Sequence, residues 1–232
     1  MAKIGIIGAM DLEVEEIIAA TEVNEEKLKA GMKFCAGKIG NTEVVVVKCG
    51  VGKVNAAMCA QILIDDFSVT HVINTGVAGS LNNDINVGDI VVCVDAVQHD
   101  MDAMSLGMKK GEIPFVGKDL FLADELLRQK AVHAIGEILT DIKAVEGRVC
   151  TGDQFIADRS KKHAIAEDFS GDCVEMEGAS IAQCCFLNDV PFLILRAISD
   201  KADDSGKTSF FEFAKLAAAR SAKLVIYMIK NW

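Results

Sequence analysis

The chain has 232 residues, 51% of them apolar and 25% charged, with only two prolines, which supplies ample material for a core and excludes a disordered, collagenous or low-complexity protein. Thirty-four acidic against 24 basic residues give a formal charge of −10, a field that repels polyphosphate backbones and argues against nucleic acid as a partner. No apolar run approaches the length of a membrane span, and Asp11, Glu13, Glu15 and Glu16 follow the short N-terminal apolar stretch too closely for a signal peptide.

In chain order, the pattern predicts a strand over Lys3–Gly8 and then a helix carrying Leu12, Ile17 and Ile18 at helical spacing. Lys33–Ile39 and Thr42–Cys49 read as a hairpin across Gly40-Asn41. A helix over Val54–Asp66 leads to a short buried strand, His71–Asn74. Val87–Val97 reads as a longer strand, Leu120–Leu139 as an amphipathic helix and Gly147–Thr151 as a strand. Asp172–Glu175 and Pro191–Ser199 are strands separated by a helix over Gly178–Leu187, and Phe210–Lys230 closes the chain as a helix. There is no repeat, no charge block and no Pro/Gly/Ser-rich linker. The expectation is one α/β domain over residues 1–232, with a mixed sheet and helices on both faces.

Eight cysteines stand at 35, 49, 59, 93, 150, 173, 184 and 185, with no CxxC pair and no His at finger spacing. Most lie inside apolar strings, where Cys behaves as a small hydrophobe, so a reduced, cytoplasmic chain is expected. Several familiar motifs are approached and missed. Gly50-Val51-Gly52 resembles a dinucleotide loop, but Asn55 occupies its third glycine position, so a tight turn whose amides face a ligand is the better reading. Gly206-Lys207-Thr208 resembles a phosphate loop, but Lys201 replaces its first glycine and Asp203 and Asp204 would repel phosphate. Ser180 sits on a predicted helix rather than on a nucleophile elbow. His99, Asp100 and Asp102 read as a solvated strand end rather than a metal cluster. No cofactor and no metal are expected.

The informative pattern is the placement of acids directly after buried strands, where ligands bind in open α/β sheets. Glu13 follows the first strand. Glu175 and Glu177 fall on one side of an extended segment. The apolar strand 191–199 runs into Arg196, Ser199 and Asp200. A buried Arg there requires a carboxylate or a ligand, because an unpaired charge costs several kcal/mol. Bland readings stand beside these: Glu13 as an acid favoured by the helix macrodipole, Glu175 and Glu177 as ion-pair partners of Arg196, and Asp200 as an N-cap. Several carboxylates with one Arg, no phosphate loop and no metal cluster suit glycosidic cleavage. There one acid protonates the leaving group, another carboxylate activates water, and the surrounding negative charge stabilises an oxocarbenium-like transition state.

The segments GIIGAMDLEVE (5–15), GVGKVNAA (50–57), NTGVAGS (74–80), VGDIVV (87–92), TGDQFIAD (151–158), VEMEGASIAQ (174–183) and RAISDKAD (196–203) together resemble the 5′-methylthioadenosine/S-adenosylhomocysteine nucleosidase family of the nucleoside phosphorylase superfamily. The resemblance implies a single mixed-sheet domain, a homodimer, and hydrolysis of a nucleoside to adenine and a thioribose. By that resemblance Glu13 activates water with help from Arg196, and Asp200, oriented by Ser199, protonates adenine N7. Met176 and Glu177 hold the ribose, Glu177 through its 2′- and 3′-hydroxyls, and Glu175 beside them counts among the substrate-binding residues. Phe155 stacks on adenine and the Ile156 backbone reads its edge. Ala78 and Gly79 lie near the glycosidic bond. Val51, Ala103, Leu106, Pro114 and Phe210 form the pocket for the 5′ substituent, some of them from the second subunit. Val77 stands where the family often has Ser, Leu106 where Phe is commoner, Ala103 is small, and Phe211 makes its segment more apolar. Two other readings remain at this point, a phosphorylase of the same superfamily and a non-catalytic nucleoside sensor. The scarcity of cations in the glycine segments weighs against the first, and the water-activating acid against the second.

Overall fold

β1 (Lys3–Gly8) is buried from Ile4 onward and so has no exposed face to offer, as expected for a strand flanked on both sides. In the computed structural model, which describes residues 2–203 and 206–232, it pairs in parallel with β4 (Thr42–Lys48) and with β5 (His71–Ser80). Beyond β4 lie β3 (Met32–Ile39) and, at the edge, β2 (Glu22–Lys29). On the other side β5 pairs with β10 (Phe192–Asp200), and β10 with β6 (Ile90–Gln98). β6 then pairs with β8 (Ala144–Thr151), and β8 with β9 (Cys173–Glu175). β9 returns to β5 at Gly79 and Ser80, so these five strands close into a ring. A two-residue β7 (Phe121–Leu122) adds to β6. The sheet mixes parallel and antiparallel pairs, as the sequence indicated.

Helices cover both faces. α6 (Gly206–Lys230) packs against β5 and β10 together with α1 (Asp11–Ala19) and α3 (Glu125–Ile138), while α2 (Lys53–Phe67) packs on α5 (Gly178–Leu187). α4 (Arg159–Phe169) lies over a smaller apolar cluster of Leu81, Val97, Cys150, Ile156, Ile165, Phe169, Val174 and Ala202. All eight cysteines are unpaired and buried. No helix among the described residues is long and apolar enough to cross a membrane.

Several boundaries differ from the sequence reading for identifiable reasons. β2 escapes it because EVNEEKLK is almost wholly exposed and carries no apolar alternation. It forms a hairpin with β3 through Ala30 and Gly31, both in the left-handed region. The β3–β4 turn was legible, and positive φ at Gly40 alone is the pattern of a type II′ turn. β5 continues to Ser80 rather than stopping at Asn74, since pairing with β10 carries the glycine-rich stretch onward. The first residues of the expected helix 120–139 form β7, and Asp124 starts α3 by accepting from the Leu127 amide at 2.9 Å. α4 was not foreseen because its buried stripe is only Lys162, Ile165 and Phe169, although Asp158 caps it through the Lys161 amide at 2.9 Å.

Candidate active site

The carboxyl ends of β1, β4, β5 and β10 meet on one side of the sheet, with the end of β9 crossing beside them. They surround a cleft of about 190 Å³ whose walls include Glu13, Val51, Ala78, Gly79, Phe155, Glu175, Met176, Glu177, Ser199, Asp200 and Phe210. Met10, Val77 and Val174 complete an apolar lining. Among the described residues no Lys or Arg lines it, and no group of three or more His, Cys, Asp or Glu is placed to hold a metal. Asp100 instead takes the Lys53 ammonium at 2.6 Å and the Asp153 amide at 3.0 Å, and Asp102 takes the Met104 amide at 3.0 Å.

Glu13 is placed by two elements. In the first turn of α1 its Oε2 accepts from the amides of Ala9 at 2.7 Å and Met10 at 3.0 Å, while Oε1 reaches across to the Val77 amide of β5 at 3.0 Å. The helix-terminus reading and the site reading therefore describe the same side chain. Burial pushes its carboxyl up from the usual carboxylate range, against the pull of Arg196 and the three amides, which makes it a stronger base once ionised. Gly76 makes this possible. A Cβ there would stand 2.5 Å from Glu13 Oε1 and 2.8 Å from Arg196 Nη1, so carboxylate and guanidinium share the space that a side chain would fill.

Arg196, 2% exposed, does not line the cleft but lies beneath it. Its Nε donates to Glu175 Oε2 at 3.0 Å, and its Nη2 donates to Glu175 and to Asn74 Oδ1, the latter at 2.5 Å. The nearest acceptor to Nη1 is the Leu195 carbonyl, at 3.4 Å, which leaves this nitrogen on the Gly76 side beside Glu13. Glu175 has no capacity left for a substrate. Besides Arg196 it accepts from the Thr151 hydroxyl, from the Glu177 amide at 3.1 Å and from the Gly178 amide at 2.8 Å. The paired-carboxylate requirement read from the buried Arg is thus met by Glu175, as its ion-pair reading expected, while the residue also stands on the cleft wall.

Glu177 is the carboxylate left over. Its Oε1 accepts from the Gly52 amide at 2.9 Å and its Oε2 stands 3.9 Å from Arg196. Burial, with the neighbouring Glu175 charge, pushes it up to about 8, against Arg196 and the Gly52 amide. The Gly50-Val51-Gly52 turn, with φ of +85° and +99° at its glycines, therefore turns one amide onto Glu177. Asp200 ends β10 and is no N-cap, since α6 begins at Gly206. Its Oδ1 accepts from the Ala202 amide at 2.8 Å and its Oδ2 from the Ser199 hydroxyl at 2.9 Å. Burial raises its carboxyl against both donors, the direction needed by a group that must carry a proton. Ser180 donates to the Glu177 carbonyl at 2.6 Å and is no nucleophile.

The half-exposed Phe155 meets Phe210 edge to face at 5.6 Å, and Phe210 meets Phe211 likewise at 5.7 Å. Ile156 is not on the cleft wall, and its side chain packs in the small cluster under α4. Ala103, Leu106 and Pro114 also stand outside the cleft lining of their own chain, on the segment after β6 that holds a 3₁₀ turn at Met104–Leu106. Sequence reasoning missed Thr151, Asn74 and Gly76, which act through a hydroxyl, an amide oxygen and a missing Cβ, none of which stands out as chemistry in a sequence. The Gly52 amide was expected to face a ligand and here meets Glu177.

Residues 3–230 match the phosphorylase superfamily, and the chain belongs to it. A 5′-methylthioadenosine/S-adenosylhomocysteine nucleosidase of Glaesserella parasuis is 42% identical over 99% of both chains. A crystal structure of the nucleosidase of that name from Neisseria meningitidis, in complex with methylthio-immucillin-A, superimposes with a TM-score of 0.96 at 33% identity and covers 100% of both chains. A futalosine hydrolase of Helicobacter pylori matches with a TM-score of 0.94 at 35% identity, over 100% of this chain and 98% of that one. Within the superfamily, the chain is a member of the 5′-methylthioadenosine/S-adenosylhomocysteine nucleosidase family.

Proposed function

We propose that this protein hydrolyses the N-glycosidic bond of 5′-methylthioadenosine and S-adenosylhomocysteine, releasing adenine with 5-methylthioribose or S-ribosylhomocysteine, and so serves methionine salvage and the methyl cycle. The observation that carries the reading is one apolar cleft holding three buried acids, Glu13, Glu177 and Asp200, with no cation in its lining among the described residues. Adenine is a poor leaving group until N7 is protonated, and Asp200 supplies that proton while Ser199 orients it. Glu13 takes a proton from water, Arg196 helping to place that water from beneath the cleft beside Glu13, and the oxygen attacks the anomeric carbon as the bond to N9 breaks. Glu177 accepts the ribose hydroxyls. Their approach next to a carboxylate, together with the acid surplus, favours a sugar that gains positive charge in the transition state.

Phe155 stacks on the base, the Ile156 backbone reads its edge, Met176 packs on the ribose, and Ala78 and Gly79 flank the bond that breaks. Val51 and Phe210 begin the 5′ pocket. Ala103, Leu106 and Pro114 complete it from a second copy of the chain in a homodimer. The exposed Val54, Met58, Met104, Leu106 and Phe115 support that reading, since so much apolar surface on neighbouring segments calls for a partner. Residues 1–232 act as one domain, in keeping with a sheet that runs without a break from β1 to β10, and the eight unpaired cysteines suit the cytoplasm.

The deciding experiment is adenine release from 5′-methylthioadenosine, S-adenosylhomocysteine and futalosine-type nucleosides, each with and without phosphate. Release of adenine from the first two without phosphate is expected. A strict phosphate requirement would transfer the protein to the phosphorylase reading. Sedimentation should give twice the chain mass of 24.9 kDa.

A further inference from the structure

Behind Asp200 lies a second network that the reaction described so far does not use. Lys162 of α4 occupies a position in the helix's buried stripe that an apolar residue would ordinarily take, and it is 4% exposed. Its ammonium donates to the Lys201 carbonyl at 2.8 Å and to Asn83 Oδ1 at 3.1 Å. The Lys201 side chain runs the other way, to the Ile85 carbonyl at 2.6 Å. Together the two lysines tie α4, the loop after β5 and the residue that follows Asp200 into one unit.

The next residue shows what this unit holds. Ala202 is fully buried with φ +52°, a conformation that a residue with a Cβ keeps only where its surroundings over-determine it. From that conformation its amide reaches Asp200 Oδ1. Gly79 leaves room on the other side, since a Cβ there would stand 2.8 Å from Asp200 Oδ1 and 2.9 Å from the Ala202 Cβ. A buried ammonium is costly unless its donors are matched, and helix α4 gains nothing locally from having Lys rather than Leu at this place.

We propose that Lys162 is a positioning residue for Asp200, acting through the Lys201 carbonyl to fix the Ala202 turn whose amide grips the carboxyl. The inference rests on the reading of Asp200 as the acid that protonates adenine. Lys162 also acts by charge. Among the described residues, the titratable and charged groups around the turn are Lys162, Arg159 and His163 from α4 and Lys201 and Asp203 from the turn itself, with neutral Asn83 from the loop after β5. Of these, Asp203 favours the protonated form of Asp200 and Lys162 disfavours it. Removing the ammonium therefore does two separable things: it loosens the turn, and it lets Asp200 keep its proton to higher pH.

The test is kcat and KM against pH for Lys162→Met and Lys162→Arg, with affinity for a 7-deaza analogue of the substrate, which lacks the N7 acceptor. In Lys162→Met the plateau of kcat should fall roughly 10- to 100-fold, the loss expected of a displaced acid, and the alkaline limb should move upward. KM and 7-deaza affinity should stay within about twofold, because only the step made in the transition state is touched. Lys162→Arg keeps the charge but moves the donors, so its limb should stay in place while its plateau falls between the other two. A wild-type plateau and limb in Lys162→Met would overturn the inference, as would a loss matched by equal loss of 7-deaza binding. Should Lys162→Met fail to fold, a wild-type plateau in Lys162→Arg would overturn it alone. Asp200→Asn measured in parallel separates the two claims: near-normal turnover there removes the acid assignment itself, whereas an inactive Asp200→Asn beside a normal Lys162→Met removes only the positioning role.

Discussion

Replacing Glu175 by Gln tests whether this acid of the cleft wall is a scaffold or a ligand. In the wild type its carboxylate accepts from Arg196 Nε and Nη2, the Thr151 hydroxyl and the amides of Glu177 and Gly178. Gln cannot match that set, because it turns an NH2 donor onto groups that are themselves donors. It also leaves Arg196, 2% exposed, with Glu177 at 3.9 Å as its nearest remaining acid. Breaking a buried pair by removing one partner costs about 3–5 kcal/mol. At about 2–4 °C per kcal/mol for a chain of this size, the midpoint of thermal unfolding should fall by about 6–20 °C. Differential scanning fluorimetry at pH 7 reads this directly, with kcat and KM measured well below the new midpoint. Turnover should fall as well, since Arg196 Nη1 and the Glu177 amide both depend on this anchor. An unchanged midpoint with only a raised KM would refute the reasoning and make Glu175 a substrate contact.

Other outcomes follow from the same geometry. Asp200→Asn should lower kcat by about 10²–10⁴, the usual share of general acid catalysis, with substrate still bound. The fall of wild-type turnover at alkaline pH, as Asp200 loses its proton, should vanish in that variant, and persistence of the limb would assign it to another group. Gly76→Ala inserts a Cβ 2.5 Å from Glu13 Oε1; single-turnover kinetics should show roughly a 100-fold slower chemical step, and a normal rate would mean that Glu13 need not sit where it does. Glu177 has an ordinary value of 4.5 and lies near 8 in the folded protein. The folded state therefore binds this proton more tightly than the unfolded chain, and the stability it contributes is present below pH 4.5 and lost as pH rises through about 8. Glu177→Gln should accordingly melt higher than wild type above pH 8 while its KM rises. A variant less stable at that pH would show that Glu177 is held ionised by Arg196.

Much of this site could be read from the chain because charged residues after apolar strands have few structural uses. Glu13, Glu177, Arg196 and Asp200 were visible on that ground, and a mixed α/β sheet follows from β-branched runs alternating with helical periodicity. The closing of five strands into a ring does not, because it depends on β9 pairing with Gly79 and Ser80 beyond the expected end of β5. Periodicity also fixed β1, the β3–β4 hairpin and α5 to within a residue or two. It failed at β2, whose EVNEEKLK carries no apolar signal and pairs only because β3 offers an edge, and at α4, whose buried stripe includes a lysine.

The sequence alone singled out four carboxylates at strand ends, Glu13, Glu175, Glu177 and Asp200, one guanidinium needing a carboxylate, and no cluster suited to phosphate. It could not apportion them, because Glu175 and Glu177 are the same residue two places apart on one short segment. Tertiary structure decided that, of the two carboxylates on the cleft wall, Glu175 is spent on Arg196 and Thr151 while Glu177 takes one amide from Gly52, since only packing determines which carboxylate the buried charge reaches. It also decided that Gly76 and Gly79 matter for the Cβ they lack, which lets Glu13, Arg196 and Asp200 close on β5. Burial, a property of the folded chain and of no residue by itself, is what raises the acids toward the range where they can exchange protons.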